Sequence, residues 1–191
     1  MNNLKFSVIF LIFSSFLMAQ KKSIQLKMMV SNNYVDKLYL RNKTHLILEI
    51  GLRKKDLFVA AFDIEDGVYQ LTYDTFYTDV YLKKGTDLII SWDGFRFYET
   101  LKFAGIGANE NNFIASEFKD DESSNENPIY DLNETEFENY MLTLEKKKLE
   151  KLSKEKFDVY FLEFEKKSVT AQLLNIRNKY LDRKLTEKRG K

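Results

Sequence analysis

The chain has 191 residues, of which 30 are Lys or Arg and 29 are Asp or Glu, with one His, one Pro and no Cys. This length suits one domain or one domain with an appendage. The balanced charge gives no support to nucleic acid or an anionic membrane surface as a partner, because both attract a basic excess. The lack of Cys excludes disulfides, thiol nucleophiles, CxxC redox pairs and cysteine-ligated metals within this sequence. His45 is the sole histidine, which also excludes zinc sites built on several histidines.

Residues 1–19 have the pattern of a secretory signal peptide. Lys5 precedes an apolar run over residues 6–18, which is shorter than the ~20 residues that span a bilayer. We predict cleavage after Ala19 and an exported protein of the periplasm or cell envelope, with no membrane span after cleavage. A retained N-terminal anchor is the alternative. No Cys follows the run, so we expect no lipid anchor.

Residues 20–106 are predicted to form a β domain. Ile24, Leu26, Met28 and Val30 alternate with mostly polar residues, which places apolar side chains on one face of a strand. Short strands at regular spacing indicate an antiparallel β-sandwich or open barrel over residues ~24–104. Further strands are predicted at residues 37–40, 45–52, 57–64, 68–73, 78–82, 87–92 and 98–104, with Gly-containing turn signals at 66–67, 84–85 and 93–94.

Residues 107–187 are predicted to form three to four helices, followed by a polar tail at 188–191, which makes the fold class α+β. Capping-box spacing at Asp131 and at Thr135, and N-cap candidates at Ser153 and Ser168, mark helix starts. Since the heptad period breaks too often for a coiled coil, we expect the helices to pack on the sheet or on one another, or to lead to a domain absent from this chain. The apolar stripes are Phe137, Met141 and Leu144; Phe157, Phe161 and Phe164; and Val169, Leu173, Ile176 and Tyr180.

Several polar segments carry residue types found in catalytic, metal-binding or nucleotide-binding sites, but none completes a motif. His45 opens an apolar run and is predicted to be a strand residue. The acids at residues 63–66 and 120–126 lack the spacing of an EF-hand, and we interpret them as a solvated turn and a solvated loop. Gly105 and Gly107 lack the third glycine and the βαβ unit of a nucleotide loop, and they predict a strand turning into a helix. We therefore predict no catalytic, cofactor-binding or metal-binding residue, and no cofactor.

Two segments resemble a known family. The sequence YLKKGTDL at residues 81–88 resembles the "YLKPGDxL" hairpin, and LKFAGIGANENNFI at 101–114 resembles the "LxFxGxGAxxNNYL" segment, of the N-terminal domain of TlpA-type, thioredoxin-like thiol:disulfide interchange proteins of the bacterial envelope. The resemblance implies a structural role for the motif residues Gly105, Gly107, Asn111, Asn112 and Phe113. In that family the chemistry belongs to a CxxC in a thioredoxin domain, which this sequence does not contain.

Three functions follow as hypotheses. The first is a non-catalytic, exported accessory module that binds a protein partner in the envelope. The second is a periplasmic ligand- or glycan-binding β domain, which would use the many Tyr and Phe residues between positions 58 and 103. The third is a fragment of a longer thiol:disulfide oxidoreductase, whose activity would then belong to the parent protein. A hydrolase centred on His45 lacks a nucleophile motif.

Overall fold

The computed structural model describes residues 23–122 and 128–189. It has the α+β class expected from the sequence, with a curled half-barrel sheet followed by a helical segment. The sheet corresponds to the open barrel among the two predicted forms. The predicted signal peptide at residues 1–19 and most of the acidic loop at 120–126 lie outside the described residues.

Eight strands form one sheet in the described part of the chain, in the order β6-β5-β2-β3-β4-β1-β7-β8. Neighbouring strands are antiparallel except β1 and β7, which run parallel with Leu26 opposite Leu88 and Val30 opposite Trp92. The strands are β1 (Ile24–Ser31), β2 (Lys37–Arg41), β3 (Leu46–Lys54), β4 (Leu57–Phe62), β5 (Gly67–Tyr73), β6 (Phe76–Leu82), β7 (Asp87–Asp93) and β8 (Lys102–Ile106).

Strand β1 shows how alternation in the sequence forms the core. Its residues alternate strictly between buried and exposed, and Ile24, Leu26, Met28 and Val30 are at most 1% exposed. The sheet places them beside the equally buried Leu88 on β7 and Phe58 on β4. Because burying an aliphatic or aromatic side chain contributes about 1.5–3 kcal/mol, this face provides much of the stability of the sheet.

The last predicted strand was placed wrongly at its start. Residues 98–104 were expected to be extended, but a one-turn helix, α1 (Phe97–Thr100), precedes β8. The Thr100 hydroxyl accepts a hydrogen bond from the Asp93 N–H at 2.8 Å and donates one to the Arg96 carbonyl at 2.6 Å. These bonds favour a helical turn over an extended strand. In the sequence, a short apolar run does not distinguish a strand from a helix.

The segment that resembles a hairpin, residues 81–88, connects two strands that do not pair with each other. Strand β6 pairs with β5, whereas β7 pairs with β1 and β8. The connection is a tight turn in which the Lys83 N–H donates to Thr86 Oγ1 at 3.1 Å and Gly85 has a φ of 83°. Glycine suits this position because a positive φ carries no steric cost without a Cβ.

The helical segment contains α2 (Ala108–Glu122), a 3-10 turn at Pro128–Asp131, α3 (Glu134–Ser153) and α4 (Val159–Arg189). All four predicted helix starts differ from the structure, and one of them, Ser153, is the last residue of α3. Asn133, not Asp131 or Thr135, caps α3 in a capping box with Glu136. Helix α4 continues through Ser168 and into the predicted tail, and its first N–H groups at Tyr160 and Phe161 donate to the Asp158 carboxylate.

The chain divides into two compact units between Ala108 and Asn109, here called the β unit and the helical unit. In the helical unit α3 and α4 share an apolar core in which the rings of Phe137 and Tyr180 stack at 3.8 Å. Glu117 links α2 to α3, because its carboxylate accepts hydrogen bonds from Lys151 and, at 2.9 Å, from Lys148. Burial alone would raise the pKa of Glu117, but these two lysines outweigh it and hold the pKa below its usual value.

Candidate functional site

The two motif glycines occupy positions that only glycine fits without strain. Gly105 lies in β8 with a φ of 92°, and a Cβ there would lie 2.3 Å from the Asp87 carbonyl oxygen on β7. Gly107, with a φ of 99°, follows the strand directly and precedes α2. Their chemistry is therefore conformational: they let the chain leave the sheet and begin a helix.

The other three motif residues lie in the first half of α2. Asn111 is fully buried, while Asn112 is exposed. Phe113 is half-buried, with its ring 5.1 Å from Phe157 and with the Lys151 ammonium 5.4 Å from its centroid. The position of Phe113 among aromatic rings and a cation is that of a packing residue.

His45 lies in the exposed turn before β3, one residue before the strand that it was predicted to open. Its backbone N–H donates to Asn42 Oδ1 at 2.8 Å, and its Nε2 atom lies 3.3 Å from the Thr44 hydroxyl. These contacts belong to an Asx turn, in which an Asn side chain replaces a backbone acceptor. They supply no activated nucleophile.

The feature of the β unit that stands out chemically is a group of aromatic side chains that we call the aromatic corner: Tyr34, Tyr73, Trp92, Phe95 and Phe97. Tyr34 and Phe95 stack with centroids 5.6 Å apart and planes 13° apart, and they are 46% and 71% exposed. Beneath them Tyr73, Trp92 and Phe97 are buried and pack edge to face or stacked. The corner thus presents two rings to solvent on a buried aromatic base.

Hydrogen bonds hold the corner in place. Asp93 accepts from the Asn32 side-chain amide at 2.7 Å and from the Phe95 N–H at 3.0 Å, and the Gly94 N–H donates to the Ser31 carbonyl at 2.8 Å. The bond from Phe95, followed by the one from Asn32, lowers the pKa of Asp93 below its usual value. Bonds to a carboxylate are stronger than neutral ones, so the turn that carries Phe95 is well fixed.

Gly94 allows this close approach. A Cβ at Gly94 would lie 2.5 Å from the Tyr73 hydroxyl and 2.6 Å from the Asn32 carbonyl oxygen. The Tyr34 N–H in turn donates to the Tyr73 hydroxyl at 3.4 Å. The turns after β1 and β7 and the end of β5 therefore meet at a single point, which positions Tyr34 beside Phe95.

An open cleft of about 610 Å³ adjoins the corner in the β unit. Its lining combines acidic side chains, basic side chains and two serines, so the cleft shows no marked preference for anions or cations. Trp92 also lines the cleft, and its Nε1 atom is buried with no hydrogen-bond partner among the described residues. Its charged lining residues are Asp56, Asp93, Arg96, Glu99 and Lys102.

Sequence reasoning missed the corner. The sequence predicts the turn at residues 93–94, but it does not single out Phe95, the aromatic residue directly after that turn, from the other Tyr and Phe residues between positions 58 and 103. An exposed turn is normally polar, so a Phe next to Asp-Gly was the available signal. The partner Tyr34 lies 61 residues earlier in the chain, and no local pattern links the two.

Within residues 23–122 and 128–189, no group of three or more His, Cys, Asp or Glu side chains is arranged to hold a metal ion. In the same part of the chain, no helix combines the length and the apolar composition needed to cross a bilayer.

Comparisons of the chain with protein-family models, with curated proteins and with solved structures gave no significant match. The similarity to the TlpA-type N-terminal domain stays a prediction.

Proposed function

We propose that the chain is an exported, non-catalytic interaction module of the cell envelope that binds a protein partner at the aromatic corner. The observation that carries this proposal is the exposure of Phe95, a large apolar side chain that is 71% exposed on a turn fixed by Asp93 and Gly94. Single exposed apolar residues are common on protein surfaces. A stacked pair held rigidly by charge-assisted hydrogen bonds is a more specific arrangement.

Physical reasoning supports a binding role for such a pair. Aromatic residues dominate binding energy in protein interfaces, because each buries a large area with few rotatable bonds. Ordering side chains on binding costs free energy, and a group already fixed in the free protein avoids that cost. Tyr34 adds a hydroxyl, 3.4 Å from Asp74 Oδ2, which can direct a polar group of the partner.

The family resemblance supports the accessory role. In thioredoxin-like interchange proteins this N-terminal domain accompanies a redox domain, and the present sequence has no cysteine to perform redox chemistry. The chain would then position or recruit a partner. If it is a fragment of a longer oxidoreductase, the same surface would serve the parent protein.

Glycan binding is the second candidate, and the Tyr34–Asp74 contact favours it. A sugar presents an apolar face for stacking and hydroxyls for hydrogen bonds, and an aromatic ring beside a carboxylate offers both. An experiment therefore has to decide between a protein partner and a glycan.

The test compares position 95, in the corner, with position 77. Tyr77 is also exposed, at 41%, but lies outside the corner. We expect photo-crosslinkers at position 95, but not at position 77, to join the chain to one discrete envelope protein in source cells, with the adduct lost when Tyr34 is also changed to Ala. Equal labelling from both positions contradicts the proposal. If the chain instead binds a glycan reproducibly on an array, and Phe95→Ala abolishes that binding, the corner is a glycan-binding site as in the second candidate.

Export has its own test. N-terminal sequencing of the protein from source cells is expected to begin at Gln20, with the protein released in the envelope fraction. An N-terminus at Met1 in the cytosolic fraction contradicts the localisation.

A further inference from the structure

Helix α4 carries two apolar faces. One face is buried in the core of the helical unit and includes Val169, Leu173 and Tyr180. The other face is exposed along almost the whole helix: Leu174, Leu181 and Leu185 are 57%, 56% and 52% exposed, and Tyr160 is 70% exposed. At 100° per residue these two sets point in opposite directions, so the residues of the core cannot also cover the exposed set.

The exposed face has the spacing of a coiled-coil seam. Its eight positions alternate steps of four and three residues without a break, and every one of them is exposed. Six are apolar, and the two polar ones are Lys167 and Asn178. The eight residues, here called the outer seam, are Tyr160, Phe164, Lys167, Ala171, Leu174, Asn178, Leu181 and Leu185.

Two stripes overlap in one helix, which explains why the heptad pattern was not recognised from the sequence. The stripe predicted from the sequence as Phe157, Phe161 and Phe164 combines the buried Phe161 with the exposed Phe164, so it follows neither face of α4. Each stripe becomes regular only when the buried residues are separated from the exposed ones.

We propose that the outer seam pairs with the outer seam of a second copy of this chain, in antiparallel orientation. When two copies of the seam are aligned in opposite directions, the residues that face each other are complementary. Aligned about a two-fold axis between residues 172 and 173, each aromatic residue meets a leucine and the two polar residues meet each other. The layers are Tyr160 with Leu185, Phe164 with Leu181, Lys167 with Asn178, and Ala171 with Leu174, each formed twice by symmetry.

Flanking charges agree with this register. On one side of the seam Glu163 comes opposite Lys184 of the second copy, again twice, and the remaining pair on that side is Thr170 with Arg177. Opposite charges beside a coiled-coil seam favour the orientation that brings them together.

The parallel alternative is disfavoured by the same residues. In a parallel pair Lys167 would lie against its own copy inside the seam, which places two like charges in a partly desolvated layer. Ala171 would also face Ala171 and leave a gap, because two small side chains do not fill the space that a leucine and an alanine fill. Antiparallel pairing avoids both defects over a seam of about 39 Å, at 1.5 Å per residue.

The first experiment measures mass by sedimentation of the full chain at about 100 μM, a concentration at which micromolar affinity populates a dimer. We expect twice the 22.7 kDa of one chain. Leu181→Glu is expected to give a monomer with unchanged circular dichroism, because Leu181 is exposed in the single chain. The matched control is Leu142→Glu on α3, an exposed leucine outside the seam, which is expected to stay dimeric. A monomeric wild-type chain, or a dimer that Leu181→Glu leaves intact, overturns the proposal.

The second experiment tests orientation. Because the chain has no cysteine, Glu163→Cys and Lys184→Cys introduce single thiols. Mixed variants are expected to form a disulfide-linked heterodimer under mild oxidation, and neither variant alone is expected to link to itself. Self-linking of either one overturns the antiparallel register.

Charge reversal is an independent check of the same register. Glu163→Lys is expected to weaken the dimer about tenfold, and adding Lys184→Glu is expected to restore its affinity. Failure of the double variant to recover also contradicts the register.

Discussion

The two units of this protein use their apolar residues in different ways. Strand β1 buries one face completely, and its other face carries Gln25, Lys27, Met29 and Ser31, so the strand serves a single core. Helix α4 is apolar on two opposite faces, of which the fold of one chain buries only one. The β unit thus buries the apolar face of β1 by itself and exposes two rings at the aromatic corner, whereas α4 of the helical unit exposes a regular apolar stripe along its length.

The two units also differ in what supplements their apolar cores. In the β unit it is close backbone approach, with Gly94 and Gly105 at positions where a side chain does not fit. The helical unit depends on one thin apolar core and on ion pairs between helices, such as that of Glu117 with Lys148. Three substitutions test this contrast, and they follow in order of expected effect.

Phe137→Ala is expected to have the largest effect. Phe137 is 2% exposed and stacks on Tyr180, and truncating a buried Phe costs about 3–5 kcal/mol. Urea unfolding followed by circular dichroism at 222 nm measures the loss. Tyr140→Ala on the same helix, at a residue that is 37% exposed, is the control and should cost less than about 1.5 kcal/mol. Equal losses would show that the helical core is not the thin stripe described above.

Gly105→Ala is expected to lower the free energy of unfolding by about 3 kcal/mol, because a positive φ and a clash with the Asp87 carbonyl oxygen combine. Gly51→Ala in β3 is the matched control. A Cβ at Gly51 meets no atom within 4 Å, and alanine in a strand interior is about 0.5 kcal/mol better than glycine. The contrast fails if both substitutions destabilise the protein alike.

Glu117→Gln is expected to cost about 1–3 kcal/mol at pH 7, since it weakens the hydrogen bonds to two lysines that are partly buried. The pKa of Glu117 is lower in the folded protein, so its contribution is present above the unfolded value of about 4.3 and is lost as the pH falls through the folded pKa. The variant should therefore show a smaller loss of stability below pH 4.3 than the wild type. Glu150→Gln, which removes an exposed ion pair with Lys146, should change stability by less than about 0.5 kcal/mol.

Local patterns predicted much of the fold. Alternation at Ile24 to Val30 placed the first strand and its buried face, and turn signals at residues 66–67 and 93–94 lie where the chain does turn. The class and the division into a strand part and a helix part followed from the same periodicities. Boundaries were less certain: Asn133 caps α3 in place of two neighbouring candidates, because several residues nearby satisfy the same spacing rule.

Features that depend on distant contacts were not predictable. The parallel pairing of β1 with β7 joins residues such as Gln25 and Asp87, and the aromatic corner joins Tyr34 to Phe95. Of the motif residues, Gly105 and Gly107 were recognised as a strand-to-helix passage, but the complete burial of Asn111 beside an exposed Asn112 depends on packing rather than on sequence spacing.

The pairing of β1 with β7 has a kinetic consequence. Strand β1 leaves the ribosome early, but one of its two neighbours in the sheet is synthesised about 60 residues later. Until then β1 has an open edge, and the central part of the sheet cannot close. Non-local pairing of this kind slows folding, so a nascent chain stays unfolded for longer. If the chain is exported as proposed above, slow folding would keep it extended during translocation, and folding would be completed after β7 has emerged.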